Sequence, residues 1–425
     1  MNLAWISLMA LLIAITLSML TQVNVGVVSL AFAWIVGVYL GGMPLNTVIG
    51  TFPVQLFLTL IGVTLLFGMA GLNGTLGRVA ARAVRACRGN AGVIPVMFFL
   101  IALALSSIGP GNIATTAILA PMAMAVGARA AVSPFLMALM VGNGAQAGAL
   151  SPFAPTGVIV NGIMERIGLA GHEMQTYGNN LFAHFVVTFA AYFLFGGLKL
   201  FTRKAAAAPE LAQGDQAGAR VSDELVETEP FEWIHWMTMS VLILLVVVVV
   251  LFEMQVGMAA LTGAAFLSLV GAGNEKEAIK KMPWGVVIMV CGVTVLIGVL
   301  EKTQGMSLFA DLLAKISTPG TVTLTIAFVT GVVSVYSSTS GVVLPAFLPT
   351  VPALAQQLGG ADPLAIASAM YVGGHLVDLS PLSTIGALCI AALPPEADAK
   401  KLFNQLLAWG LSMMVVGALI CWVLF

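Results

Sequence analysis

Residues 148–157 read GALSPFAPTG and residues 377–386 read VDLSPLSTIG, and each places a hydroxyl-proline pair inside an apolar run. A proline within a helix removes one backbone hydrogen bond and clashes with the preceding turn. In hydrocarbon such a break persists only where protein, water or a ligand satisfies the freed groups. At a break, the half-helix that begins presents free N–H groups with about half a positive charge, and the half-helix that ends presents carbonyls to cations. A pair of such breaks predicts a binding site for a small anion and a hard cation, built as in transporters.

Two more polar interruptions accompany them. Residues 91–128 are apolar but broken at SSIGPGN, which leaves arms of roughly fifteen and eleven residues, each short for a crossing. Residues 320–357 repeat the pattern with SSTSG. Both read as re-entrant hairpins with tips at mid-membrane. The substrate candidates are Asn112, Thr115, Thr116, Ser151 and Thr156 in the first set, and Ser338, Thr339, Ser340, Ser380, Ser383 and Thr384 in the second. Gln146 also lies in the first broken helix. The candidate Na⁺ ligands are Ser106, Ser107, Asn143, Ser337, Ser380 and Asp378, because hydroxyls, amide oxygens, carbonyls and carboxylates are hard oxygen donors. No Lys or Arg lies near mid-depth in these four elements. Four half-helix N-termini would sum to about two positive charges, which agrees with a small dianion.

Asp378 stands apart, since an acid at mid-membrane is costly and by default functional. His375 lies three residues earlier on the same helical face and is expected to pair with it or relay a proton. A structural pair locking the hairpin is an equal reading. His184 and His235 read as packing or interfacial residues. Each Ser or Thr also has an ordinary role, bonding to a preceding carbonyl or joining helices.

The elements that position these residues come from a repeat. GVTLLFG at 62–68 recurs as GVTVLIG at 292–298, Asn73-Gly74 is matched by Gln304-Gly305, and Ser106-Ser107 by Ser337-Ser338. These pairs are 230 or 231 residues apart and the LSP pair 229 apart, so the register is nearly constant. Residues 1–200 form a first repeat and 231–425 a second, joined by the polar linker 201–230, which is too rich in Ala, Gly and acids to bury an apolar face.

In the first repeat, spans are expected near 4–21, 25–41 and 54–72, then a surface helix carrying RVAARAVR, the hairpin, a broken helix 132–167 and a span near 178–198. The second has spans near 233–252, 256–272 and 283–300, a surface helix 302–316, the hairpin, a broken helix 363–394 and a span 403–425. Residues 4–21 lack a charged n-region and read as the first span, not a removed signal. Five crossings per repeat is an odd number, so the repeats should be inverted. With the N-terminus outside, fourteen Lys and Arg residues fall on one side and only Arg166, Lys302 and Lys315 on the other. The positive-inside rule then puts both termini on the periplasmic or extracellular side and the linker in the cytoplasm.

Composition sets the class: 60% of the 425 residues are hydrophobic and 8% charged, as in an all-α polytopic protein of the inner (cytoplasmic) membrane. A net charge of −1 offers nothing to nucleic acid, and the four scattered cysteines lack metal-ligand spacing.

GNIATTAILAPMAMAVG and VGNGAQAGALSPFAPTGVIVNGI resemble the N-terminal signature of MatC-type malonate and dicarboxylate carriers, in the ion transporter superfamily that includes the divalent-anion/sodium symporters. The resemblance is strongest over residues 50–165 and continues in register across 283–390. It implies a homodimer with a scaffold part and a mobile part, working as an elevator. Those symporters carry Ser-Asn-Thr at hairpin tips. Here Asn112 precedes Thr115 and Thr116 at a different spacing, and SSTSG has no Asn. The function expected is a symporter, not an enzyme, that imports malonate or a C4-dicarboxylate with Na⁺ or H⁺ and uses no cofactor. Other readings are the large membrane subunit of a binding-protein-dependent carboxylate transporter, an oxyanion exporter, and an intramembrane enzyme built on His375 and Asp378.

Overall fold

The computed structural model describes residues 2–21, 23–85, 91–202, 230–252, 254–336, 338–394 and 397–425. Ser337 and nearly all of the linker lie outside the described residues. Within them the chain is helical and contains no strand.

The first half opens with α1 (Leu3–Leu20) and α2 (Val25–Trp34), which widens into a π turn over Ile35–Leu40. Then follow α3 (Leu45–Ile49), α4 (Val54–Leu72), α5 (Thr75–Arg85), α6 (Val93–Ser107) and α7 (Gly111–Arg129). The half closes with α8 (Pro134–Gly148), α9 (Pro155–Arg166), α10 (Glu173–Leu194) and α11 (Gly197–Thr202).

The second half repeats this order. It has α12 (Trp233–Phe252), α13 (Val256–Leu269), α14 (Glu275–Lys281), α15 (Trp284–Lys302), α16 (Gly305–Lys315) and α17 (Val322–Tyr336). A π turn over Thr339–Val343 leads to α18 (Leu344–Phe347), a 3₁₀ turn over Leu348–Thr350 and α19 (Val351–Gln357). The last helices are α20 (Pro363–Val377), α21 (Thr384–Ala391) and α22 (Ala399–Leu424).

Both hairpins form where the polar interruptions lie, but their arms differ from expectation. The second arm of hairpin one is not about eleven residues long. It runs through Pro121 as one nineteen-residue helix, which is long and apolar enough to cross a membrane by itself. In hairpin two the chain bends by 118° between Val322–Val335 and Thr339–Gln357. Its second arm is divided by Pro345, Pro349 and Pro352, each of which removes a helical N–H. Val54–Leu72, Trp284–Lys302 and Ala399–Leu424 are likewise long and apolar enough to cross; the spans expected near 4–21, 25–41, 233–252 and 256–272 are shorter apolar helices, and the one expected near 178–198 is the 22-residue α10, which starts earlier, at Glu173. Exposed Leu20, Leu194, Leu251, Leu269 and Val423 give these helices an outward apolar face suited to lipid.

The two halves interlock by exchanging partners. α2 packs on α15 and α13 packs on α4. A Cβ on Gly292 would stand 2.2 Å from the carbonyl oxygen of Gly26, and a Cβ on Gly62 2.2 Å from that of Gly257. Absent side chains at these four positions let the helix backbones touch, the usual device where lipid competes equally for apolar side chains. Polar contacts follow the same exchange. Asn24 donates to the Gly285 carbonyl at 2.7 Å, and Gln255 donates to Thr59. Thr303 donates to Ser7 at 2.7 Å, and Asn73 donates to Thr238 at 2.8 Å. His235 sits at this second contact. Its Nδ1 accepts the Glu232 N–H, so its Nε2–H donates to the Asn73 carbonyl at 3.0 Å.

On the surface, Arg78 and Arg82 stand four residues apart along α5, and the Arg82 guanidinium stacks over the Phe231 ring at 3.9 Å. Deep inside, every residue of α8 from Phe135 to Gly148 is buried, as is every residue of α20 from Ile366 to Val377. These two helices form the axis on which the site is built.

Candidate functional site

Each broken helix is made by a capped start, a stop at the hydroxyl-proline pair and a restart. Ser133 caps α8 by accepting the Leu136 N–H at 3.2 Å with Pro134 at the first helical position, and Asp362 caps α20 in the same way ahead of Pro363. After Gly148 the chain folds over itself, so that the Gly157 N–H reaches the Ala149 carbonyl at 3.0 Å. A Cβ on Gly157 would lie 1.9 Å from the Ser151 carbonyl oxygen, and one on Gly386 2.2 Å from that of Ser380. Only glycine fits at either place. At the second break Ser383 caps α21, and its Oγ donates to the Asp378 and Ser380 carbonyls.

The tip of hairpin one turns at residues 108–110, with Gly109 at φ 143° and Gly111 at φ 75°. These are left-handed values that favour glycine. Ser151 donates from the first break to the Ser107 carbonyl at 2.6 Å, which ties that break to this tip. Ser107 Oγ itself meets the Leu103 carbonyl and the Tyr177 hydroxyl. At hairpin two Ser338 caps the π turn, accepting the Gly341 N–H at 3.1 Å.

One hydrogen-bonded chain joins all four elements. Asn112 of α7 donates from Nδ2 to Gln146 Oε1 at 2.6 Å, and Gln146 of α8 donates from Nε2 to Asp378 Oδ2 at 3.0 Å. The other carboxylate oxygen of Asp378 receives Ser334 of α17 at 2.9 Å and Thr339 at 2.7 Å. Ser334 and Thr339 also contact each other, and Thr339 lies 3.3 Å from the Gly374 carbonyl. Thr156, at the start of α9, reaches Ser340 of hairpin two at 3.5 Å, so the two halves meet a second time. α10 braces this assembly, because Asn180 donates to the Gln146 carbonyl at 2.8 Å.

The expected pairing of His375 with Asp378 is not made. The imidazole turns to its own helix, with Nδ1–H donating to the Tyr371 carbonyl at 2.8 Å, while the carboxylate is taken by hydroxyls and an amide. His184 does the same with the Asn180 carbonyl. In both rings Nε2 is a buried acceptor without a protein partner.

Among the candidate residues, Thr115 Oγ1, Ser106 Oγ and Asn143 Nδ2 are buried without a partner. An unmet buried polar group costs roughly 1–3 kcal/mol, so three beside the first break are worth a ligand-binding explanation. Thr116 is satisfied by the Asn112 carbonyl. Ser380 accepts the Leu382 N–H within its own break, and Thr384 is exposed. Gln146, Ser334 and Asn180 were not among the residues singled out for substrate or ion. Gln146 had a sequence signal, since it and Asn143 are the polar side chains of an otherwise apolar buried helix. Ser334 lies in the last turn of α17, just before the SSTSG interruption, and was passed over in favour of the hydroxyls within that interruption. Among the described residues no cluster of three or more His, Cys, Asp or Glu side chains is placed to hold a metal ion.

A cleft of 790 Å³ leads in from one side. It runs between the starts of α4 and α13 and the flank of α9, where Gln55, Asn161, Arg166 and Gln255 line it, and it reaches Pro152 of the first break.

The expected resemblance is borne out over the N-terminal third: residues 1–149 match the family described as dicarboxylate carrier protein MatC N-terminus. No curated protein matches the chain. Among solved structures, the YdaH transporter of Alcanivorax borkumensis, described as having an unusual topology, superposes with a TM-score of 0.58 at 17% identity. That match covers 89% of this chain and 87% of that one. MtrF of Neisseria gonorrhoeae, described as illuminating a class of antimetabolite efflux pumps, superposes with a TM-score of 0.56 at 12% identity over 92% of this chain and 84% of that one. The chain is thus a multi-pass membrane protein with the fold of these two transporters, and its first 149 residues are similar to the N-terminus of the MatC dicarboxylate carrier.

Proposed function

We propose that the chain is a secondary active transporter of the cytoplasmic membrane that imports a small dicarboxylate, malonate or a C4 acid, together with Na⁺ or H⁺. The observation that carries this reading is the convergence of two hairpins and two broken helices on one hydrogen-bonded chain from Asn112 through Gln146 and Asp378 to Thr339. Four interruptions of apolar helices, each expensive in lipid, have a common purpose if they enclose a substrate. The match to a dicarboxylate carrier over residues 1–149 supports the substrate class.

The anion would sit between the start of α9 and the start of α21, near Thr156, Ser340 and Ser383, where helix N-termini supply positive potential that no Lys or Arg provides. A cation fits beside Asp378. Ser334 and Thr339 bring two hydroxyl protons to contacts with the carboxylate, with each other and with the Gly374 carbonyl, so this oxygen cluster is rich in acceptors. Asp378 Oδ1, Ser334 Oγ, Thr339 Oγ1 and the Gly374 carbonyl would hold Na⁺, which supplies countercharge to the substrate when bound. The orphaned oxygens of Ser106 and Thr115 support a second polar site at hairpin one.

Interlocked scaffold helices α1, α2, α4, α12, α13 and α15 would hold still while the hairpins and broken helices move as an elevator, in a homodimer of inverted repeats spanning 1–200 and 231–425. Both termini would face outside and the linker the cytoplasm. The test is uptake of labelled malonate and succinate into proteoliposomes of the purified chain under a Na⁺ gradient, a proton gradient, or neither. Gradient-driven accumulation is expected. Equal, gradient-independent label inside and outside, from folded protein, would reject the reading.

A further inference from the structure

We propose that Gln146 is the positioning residue that makes the two halves of the site act as one. Its side-chain amide dictates how Asn112 is presented at hairpin one according to the acceptor that residue 378 offers in the other half. The inference rests on the transport reading above.

The direction of the hydrogen bonds is fixed from both ends. Asn112 Oδ1 accepts the Ile113 N–H at 3.0 Å, so Nδ2 is the end turned to Gln146, and only an oxygen can receive it. Gln146 must then offer Oε1 to Asn112 and Nε2 to Asp378. At the far end, Asp378 receives three donors and gives none. The backbone of Gln146 is held separately, its carbonyl accepting Asn180 Nδ2 at 2.8 Å, and the side chain is fully buried. Such an amide has no water to fall back on. A change of polarity at either end must pass through it to the other.

Substitutions follow from this polarity. Asp378→Asn either turns its oxygen to Gln146 and strips Ser334 and Thr339 of their shared acceptor, or keeps that oxygen for the hydroxyls and turns an NH₂ toward Gln146 Nε2, donor against donor. Rotating the Gln146 amide cures that contact and moves the clash to Asn112. Gln146→Glu instead sets two carboxylates side by side. Made together, the two changes restore every pairing: the Glu oxygens accept from Asn112 and from the new amide at 378, and that amide's oxygen still accepts both hydroxyls. A residue that merely fills space would show no such rescue.

The experiment is a double-mutant cycle on the full-length purified chain, read by binding of malonate and of succinate and, independently, by melting temperature in detergent. Each single change is expected to weaken binding about tenfold or more, and the double to return within about threefold of the parent. Losses that add in the double, a Gln146→Glu variant that binds like the parent, or a double that fails to fold would overturn the proposal. Single variants too unstable to purify, beside a double that folds, would support it. Should the parent bind neither anion under any gradient ion, the transport reading fails while the melting temperatures still decide whether residues 146 and 378 exchange polarity.

Discussion

Gly62 and Gly292 stand 230 residues apart and make the same contact, each pressing its bare Cα against the backbone of a glycine in the second helix of the opposite half. Their partners, Gly257 and Gly26, are themselves 231 residues apart. The 230-residue spacing in the sequence is therefore also a spacing in the packing of these four helices.

Gly62→Ala and Gly292→Ala should each destabilise the protein, because the new methyl carbon would stand 2.2 Å from a carbonyl oxygen in a backbone that has no room to retreat. Overpacking of this kind costs about 1–3 kcal/mol. Gly71→Ala, with nothing within 4 Å of its added carbon, is the control and should melt at or above the parent temperature. Thermal melting of the three variants in detergent checks the ordering.

Gly157→Ala and Gly386→Ala act at the breaks, where the added carbon would fall 1.9 Å and 2.2 Å from the Ser151 and Ser380 carbonyl oxygens. Uptake should be lost in both, as the restarting half-helix can no longer sit against the end of the preceding one. A variant of either kind with parental uptake would show that the breaks are not where substrate is held.

Ser383→Ala removes the cap of α21 and the two donations that close the second break. A lost cap of this sort costs about 1 kcal/mol, so the protein should still fold. Its uptake should show a raised KM, with Ser383→Thr restoring most of the affinity. The comparison is made by initial rates at several substrate concentrations.

Thr156→Val and Ser340→Ala cut the second meeting of the halves, a contact at 3.5 Å that adds little to stability. Substrate affinity should fall severalfold in each, while melting temperature stays near that of the parent. Unchanged affinity in both would remove this pair from the substrate site.

Much of this was legible beforehand because membrane physics leaves a strong mark on sequence. Pro152 and Pro381 in apolar runs announced both breaks, and GVTLLFG with GVTVLIG announced the register that the glycine contacts obey. What failed did so for local reasons. The second arm of hairpin one was expected to be about eleven residues long, yet the helix runs for nineteen, through Pro121. His375 and Asp378 share a helical face, but α20 ends at Val377 and leaves Asp378 at the cap, where hydroxyls from hairpin two reach it first. Ser334 was illegible because its role depends on an arm folding back across the break, which spacing along the chain does not encode.

The partner exchange also sets the order of events at the ribosome. Roughly 250 residues separate the end of Val25–Trp34 from the beginning of Trp284–Lys302, on which it packs. At about 5–20 residues per second that is on the order of ten seconds to a minute during which the nascent first half sits in the bilayer with a glycine-lined groove open to lipid. A message truncated after the linker would yield a product that inserts but cannot mature, and quality-control proteases should clear it faster than any full-length point variant.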